Sequence, residues 1–119
     1  MRVFTFNHFN FNVKDLQRSL AFYAEALELC PVREKKTEHY QLTYLGDGRS
    51  DFTLELTWLF DRTEPYDLGE QEFHLALTAS DYEAAYARHR AMGCVCQEDN
   101  GRFYFIEDPD GYWIEILRG

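Results

Sequence analysis

The chain has 119 residues, 45% of them hydrophobic and 17% aromatic, and its formal net charge is −9 at pH 7. This length suits one domain with its own core, and the negative charge argues against partners that bind basic patches, namely nucleic acid and anionic membrane surfaces. No apolar run is long enough for a transmembrane helix, and three cysteines, an odd number, are typical of a reducing cytoplasm rather than of a disulfide framework.

The first half of the sequence predicts a strand, a helix and three further strands. Strict alternation over residues 3–13 indicates a strand with two different faces. Asp15 then caps a helix over roughly 16–29, and Pro31 ends it. The three strands that follow are predicted at residues 32–36, 39–45 and 52–59.

The second half repeats this order after a polar segment, residues 61–71, which we interpret as a linker. A strand is predicted over 73–79, and Asp81 caps a helix that runs to about Met92. Three strands follow at residues 94–98, 102–107 and 112–117. The sequence DPDG at 108–111 predicts a tight turn between the last two.

The pattern βαβββ therefore occurs twice, and such an internal repeat determines the fold class. We predict an α+β fold in which two tandem βαβββ modules form a curved, barrel-like mixed sheet. The whole chain, 1–119, would be a single domain made of module 1–60 and module 72–119, joined by the linker 61–71.

Each half places a histidine at its first strand and a glutamate in its fourth. The matched residues are His8 with Glu55, and His74 with Glu115. Each glutamate lies between apolar strand residues, and a single one would be expected to point to solvent, since a buried carboxylate without a partner is costly. Because all four residues occupy equivalent positions of the repeat, we favour a shared site.

Two imidazoles and two carboxylates form a mixed nitrogen and oxygen set that suits one divalent ion such as Ni²⁺, Zn²⁺, Co²⁺ or Mn²⁺. Strand alternation also predicts which other side chains face a small-molecule substrate in this cavity. These substrate-facing residues are Asn10, Asn12, Thr57 and Trp113. The other two histidines, His39 and His89, lie in polar contexts and are predicted to face solvent.

Several phrases of the sequence resemble the vicinal oxygen chelate superfamily and, within it, the glyoxalase I (lactoylglutathione lyase) family. They are DLQRSLAFY at 15–23, LELTW at 54–58, YDLGEQEFHLAL at 66–77 and EDPDGYWIEIL at 107–117. The DPDG turn is common to many members, whereas the ligand set is more selective. The resemblance implies that His8, Glu55, His74 and Glu115 are the metal ligands.

The resemblance also implies an activity. A metal-dependent lyase or isomerase would convert the hemithioacetal of a 2-oxoaldehyde such as methylglyoxal and a thiol such as glutathione into a 2-hydroxyacyl thioester, through an ene-diolate. Glu115 would be the catalytic base, with Glu55 serving the other stereoisomer. It further implies a homodimer with sites at the interface, although a site could also be built within one chain.

Two departures from the family concern the thiol. The family carries arginine at the position of Asn12 and asparagine at that of Leu59, and both belong to its glutathione contacts. The loop 97–102 is also shorter and more acidic than is usual in the family. The alternative function is a small-molecule-binding protein of the sequestering, resistance type, or another metal-dependent member of the superfamily that acts on a different substrate.

Overall fold

The computed structural model describes all 119 residues and divides into two compact units, an N-terminal unit, Met1–Tyr66, and a C-terminal unit, Asp67–Gly119. The boundary falls inside the polar segment 61–71. No helix of the chain has the length and apolar character needed to cross a membrane.

Both units consist of a strand, a helix and three strands. The elements of the N-terminal unit are β1 His8–Val13, α1 Leu16–Leu27, β2 Cys30–Lys36, β3 Tyr40–Gly46 and β4 Thr53–Leu59. Those of the C-terminal unit are β5 Leu75–Ala79, α2 Tyr82–Met92, β6 Val95–Gln97, β7 Phe103–Glu107 and β8 Trp113–Arg118. The predicted α+β class and the repeated βαβββ order are confirmed.

Each unit forms a four-stranded mixed sheet, and the two sheets have the same topology. The strand orders are β1-β4-β3-β2 and β5-β8-β7-β6. In each sheet the first strand pairs in parallel with the fourth, and the third pairs with the fourth in an antiparallel manner. The glutamate-bearing strand is therefore interior and lies between the first and third strands of its unit.

The helices begin where the sequence predicts and end through left-handed residues. The Asp15 side chain accepts a hydrogen bond from the Arg18 N–H at 3.2 Å, and Asp81 caps α2 in the same way. Helix α1 ends two residues earlier than predicted, because Glu28 adopts a left-handed conformation with φ 58°. Pro31 therefore lies in β2 instead of closing the helix.

One face of each sheet and one stripe of each helix supply the core. The largest buried side chains of the N-terminal unit include Phe11, Leu16, Tyr23, Leu45 and Leu56. Those of the C-terminal unit include Tyr82, Tyr104, Ile106, Ile114 and Ile116. The leucines on either side of Glu55 and the isoleucines on either side of Glu115 are buried. Because successive side chains of a strand point to opposite faces of the sheet, both glutamates lie on the face opposite the core.

The first strand of each unit begins later than predicted. Residues 1–7 are not in a strand, and Phe4 and Phe6 are 95% and 91% exposed. The reason is that β1 pairs with β4, whose first residue, Thr53, lies opposite His8. Likewise β5 begins one residue after His74. His8 is thus the first residue of its strand, and His74 immediately precedes its strand.

The prediction for the two remaining histidines is right for one and wrong for the other. His39 is exposed, whereas His89 is only 1% exposed. His89 is buried because α2 packs on β7, where the imidazole Nδ1 lies 2.7 Å from the hydroxyl of Tyr104. Two further helix residues, Tyr82 and Tyr86, contact the same Tyr104 ring.

Candidate metal-binding site

The N-terminal unit brings His8 and Glu55 together on adjacent strands. The His8 Nε2 lies 3.8 Å from a Glu55 carboxylate oxygen, and the side chains are 37% and 13% exposed. The His8 Nδ1 lies 2.6 Å from the amide oxygen of Asn7. If the Asn7 oxygen accepts a hydrogen bond from Nδ1–H, the lone pair is on Nε2, the nitrogen that faces the carboxylate. Metal-binding histidines are commonly oriented in this way, by a hydrogen bond from the ring nitrogen that does not bind the metal.

The C-terminal unit repeats the arrangement with His74 and Glu115. The His74 Nε2 lies 3.2 Å from a Glu115 carboxylate oxygen, and the side chains are 43% and 17% exposed. In both units the imidazole is therefore the more accessible partner, and the carboxylate comes from the protected middle of an interior strand. Neither unit by itself gathers three or more histidine, cysteine, aspartate or glutamate side chains in a group suited to a metal.

A connected set of polar side chains lies beside the His8 and Glu55 pair. Asn10 lies opposite Glu55 and Asn12 opposite Thr57 in the parallel register. The Thr57 hydroxyl donates to the Asn10 amide oxygen at 2.6 Å, and the Asn10 amide donates to the Asn12 oxygen at 3.0 Å. The structure thus brings together all the predicted polar residues of this face, partly buried and available to orient a polar ligand.

Trp113, the fourth predicted substrate-facing residue, lies two positions before Glu115 on β8. Its ring is 5.4 Å from that of Phe105, measured between centroids. Phe105 in turn meets the His74 imidazole edge-on at 5.0 Å. Trp113 therefore belongs to an aromatic wall beside the C-terminal pair and is part-buried.

Sequence reasoning missed one aromatic residue in each unit. Tyr44 and Phe105 are the antiparallel partners of Glu55 and Glu115, and each contacts the histidine of its own pair. The signal that could have found them is the register of the third strand against the fourth. That register depends on the turn between these strands, so it is not evident from alternation alone.

The donor chemistry of the two pairs fits a divalent transition metal. Imidazole nitrogen and carboxylate oxygen are ligands for nickel, zinc, cobalt and manganese, and the oxygen donors lie on strands, which hold a ligand rigidly. The His8 Nε2 and the Glu55 oxygen lie 3.8 Å apart, which is longer than a hydrogen bond, and a cation bound by both donors would improve this contact.

Comparison with known proteins places these features in a family. Residues 5–116 match the family model described as Glyoxalase/Bleomycin resistance protein/Dioxygenase superfamily. The lactoylglutathione lyase of Salmonella typhimurium is 34% identical over 121 residues, covering 92% of this chain and 89% of the relative. That of Neisseria meningitidis serogroup A is 35% identical over 122 residues, covering 93% and 88%.

A solved structure agrees with the sequence relatives. The trypanothione-dependent glyoxalase I of Leishmania major superposes with a TM-score of 0.87 at 32% identity, covering 98% of this chain and 87% of that one. The resemblance inferred from the sequence phrases, and the lyase class that it implies, are confirmed by these matches. The chain therefore belongs to the glyoxalase/bleomycin resistance protein/dioxygenase superfamily, as a member of its glyoxalase I type.

Proposed function

We propose that this protein is a metal-dependent glyoxalase I-like enzyme that isomerises the hemithioacetal of a 2-oxoaldehyde, such as methylglyoxal, to a 2-hydroxyacyl thioester. The observation that carries the proposal is the repetition of one histidine–glutamate pair at the same position of both sheets. His8, Glu55, His74 and Glu115 are the proposed ligands of one divalent metal per site, with nickel or zinc favoured over cobalt or manganese.

The chemistry divides between the metal and the carboxylates. A divalent ion held by His8, Glu55, His74 and Glu115 would stabilise the negative charge that develops on the two substrate oxygens, and would so make the C–H of the carbon bonded to sulfur more acidic. Glu115 removes that proton as a general base and returns it to the neighbouring carbon, while the hydroxyl proton passes from the first oxygen to the second, so the product is an isomer of the hemithioacetal. In this proposal Glu55 does the same for the opposite stereoisomer.

The substrate contacts proposed for this enzyme are Asn10, Asn12, Thr57 and Trp113. The hydrogen-bonded chain formed by the first three offers amide and hydroxyl groups beside Glu55. Asn12 and Leu59 are uncharged, so neither position supplies a cation that would pair with a carboxylate of glutathione. We therefore include other thiols, trypanothione among them, as candidate partners of methylglyoxal.

The test measures thioester formation by metal-loaded protein with methylglyoxal and a panel of thiols. We expect turnover with at least one hemithioacetal and no turnover after treatment with a chelator. Metal-loaded protein that isomerises none of the panel would contradict the enzyme assignment. Ligand binding without turnover would then favour the alternative of a small-molecule-binding protein.

We also propose a homodimer in which each site takes one pair from each of two chains. Apolar side chains that are exposed in the single chain support an association with a second copy. They include Val3, Phe4, Phe6 and Phe9, which are 71%, 95%, 91% and 41% exposed. The three cysteines form no disulfide bond with one another, which is consistent with the proposed cytoplasmic location.

Mixing two inactive variants tests this assembly. His8→Ala and His74→Ala should each abolish turnover, because each removes a ligand from every site. If the sites combine two chains, a mixed dimer contains one site with both changes and one intact site, so mixing restores activity. If mixing restores none, or if light scattering shows a metal-bound monomer at high concentration, the two-chain site is wrong.

A further inference from the structure

Two cations share one face of β2, the outer strand of the N-terminal sheet. Arg33 and Lys35 alternate with Glu34 along the strand, so their side chains leave the sheet on the face opposite to that of the glutamate. Glu34 is engaged on its own face, where its carboxylate accepts a hydrogen bond at 3.2 Å from the side-chain amide of Gln41. The cationic face of β2, Arg33 and Lys35, is therefore not neutralised by the acidic residue between them.

The strand register puts this cationic face on the same side of the sheet as the proposed metal ligands. Residues paired directly across neighbouring strands project to the same face. Two such rows run from β2 across β3 to β4, and they consist of Arg33, Tyr44 and Glu55, and of Lys35, Leu42 and Thr57. Arg33 thus shares a row with a proposed metal ligand, and Lys35 shares one with a proposed substrate contact.

The Arg33 side chain lies over the middle of its row. Its guanidinium carbon is 4.2 Å from the centroid of the Tyr44 ring, and the His8 imidazole lies 5.7 Å from the same ring, measured between centroids. The charge therefore lies on the His8 side of the outer strand. Contact with an aromatic face restrains a guanidinium, while N–H donors in its plane remain for a planar oxyanion such as a carboxylate.

Neither cation is compensated by an acidic side chain. Arg33 and Lys35 are both exposed, and no carboxylate of the chain forms an ion pair with either. The chain has 21 acidic and only 12 basic residues, so most of its surface repels an anionic ligand. Two cations without an ion pair, on the face that carries the proposed ligands, give an anion a favourable place to bind beside them.

We propose that Arg33, assisted by Lys35, binds a carboxylate of the thiol part of the substrate and so selects negatively charged thiols. This inference rests on the proposed function, in which the two oxygens of the hemithioacetal lie at the metal ligands. The thiol would then extend from Glu55 past Tyr44 towards the outer strand. The cation that is missing at Asn12 on β1 is supplied from β2, at the other edge of the same sheet.

The test measures binding of an analogue that cannot react. S-methylglutathione has no hemithioacetal carbon, and its diethyl ester differs by having both carboxylates capped. Isothermal titration gives the dissociation constants of both compounds for wild type, Arg33→Gln and Lys35→Gln. The matched control is Lys36→Gln, which removes one positive charge from the same exposed strand but from its opposite face. Thermal melting checks that each variant folds.

We expect Arg33→Gln to weaken binding of S-methylglutathione about fivefold, the upper range for an exposed ion pair. Lys35→Gln should weaken it less, because a lysine offers a point charge and not a planar pair of donors. Lys36→Gln should bind the acid as wild type does. The diester should bind wild type more weakly than the acid and should not distinguish Arg33→Gln from wild type. In turnover of the glutathione hemithioacetal, the loss in Arg33→Gln should appear as a higher KM.

The outcomes separate this inference from the proposed function. Equal affinity of wild type and Arg33→Gln for S-methylglutathione, or no binding by wild type, shows that the carboxylate site is wrong, and the thiol panel still decides the function. If Lys36→Gln weakens binding as much as Arg33→Gln, net charge is the cause and the inference also falls. If wild type binds the acid through Arg33 but isomerises no hemithioacetal, the carboxylate site stands and the enzyme assignment is contradicted.

Discussion

Replacing Glu115 by glutamine is the most informative single change at the proposed site. The Glu115 side chain is 17% exposed and lies 3.2 Å from the His74 Nε2, so an amide of the same shape fits without rearrangement. It keeps one oxygen for the metal but has no basic carboxylate. Loss of a general base typically costs about 10²–10⁴-fold in rate, which corresponds to about 3–5 kcal/mol of activation free energy.

The assay is steady-state thioester formation by Glu115→Gln with its bound metal measured in the same sample. We expect kcat to fall by about two to four orders of magnitude at an almost unchanged KM, because the base acts in the transition state. Glu55→Gln should lower kcat less than Glu115→Gln does. The control is Glu107→Gln, which alters an exposed glutamate on the neighbouring strand β7 and should keep the wild-type kcat. A metal-loaded Glu115→Gln variant with a kcat within about threefold of wild type would refute the base assignment, given the cost expected for a base.

Three further predictions concern the surroundings of the site. Tyr104→Phe removes the hydroxyl that contacts His89 and should lower the free energy of unfolding by about 1–3 kcal/mol. Urea titration measures this change, and an unchanged midpoint of urea unfolding would contradict the prediction. The Tyr82 hydroxyl and the Gly101 N–H donate hydrogen bonds to Asp99 and hold the pKa of that carboxyl below its usual value. The ionised Asp99 therefore stabilises the folded state at neutral pH, and this stabilisation is lost as the pH falls through the lowered pKa. Asp99→Asn should therefore flatten the acid limb of stability against pH, and a limb as steep as wild type would argue against it. Asn12→Arg should lower KM for the glutathione hemithioacetal and leave kcat similar, and steady-state kinetics showing no change in KM would exclude a thiol contact at this position.

Strand alternation predicted the faces of the N-terminal sheet correctly. Asn10 and Glu55 lie opposite each other in the register, and Thr57 bonds Asn10 across the two strands. Alternation succeeds here because side chains of one parity must share a face, whichever strands come to pair. Leu54 and Leu56, the apolar residues on either side of Glu55, lie on the other face and are buried.

The features that the sequence did not predict depend on packing between elements. The polar neighbours of His89 suggested solvent, but helical geometry turns this residue towards Tyr104 on β7. The pairing of Tyr44 with Glu55 depends on the register of an antiparallel hairpin. The alternation of residues 3–7 is as regular as that of β1, yet β4 supplies ladder partners only from His8 onwards.

The central claim is that one divalent metal, held by both histidine–glutamate pairs, is required for turnover. The most direct test is a titration of metal-free protein with Ni²⁺ in which the bound metal and the rate of thioester formation are measured on the same samples. We expect the rate to rise in proportion to bound metal and to level off at one ion per chain. A full rate in metal-free protein, or no rate at one bound ion per chain with every thiol of the panel, would contradict it.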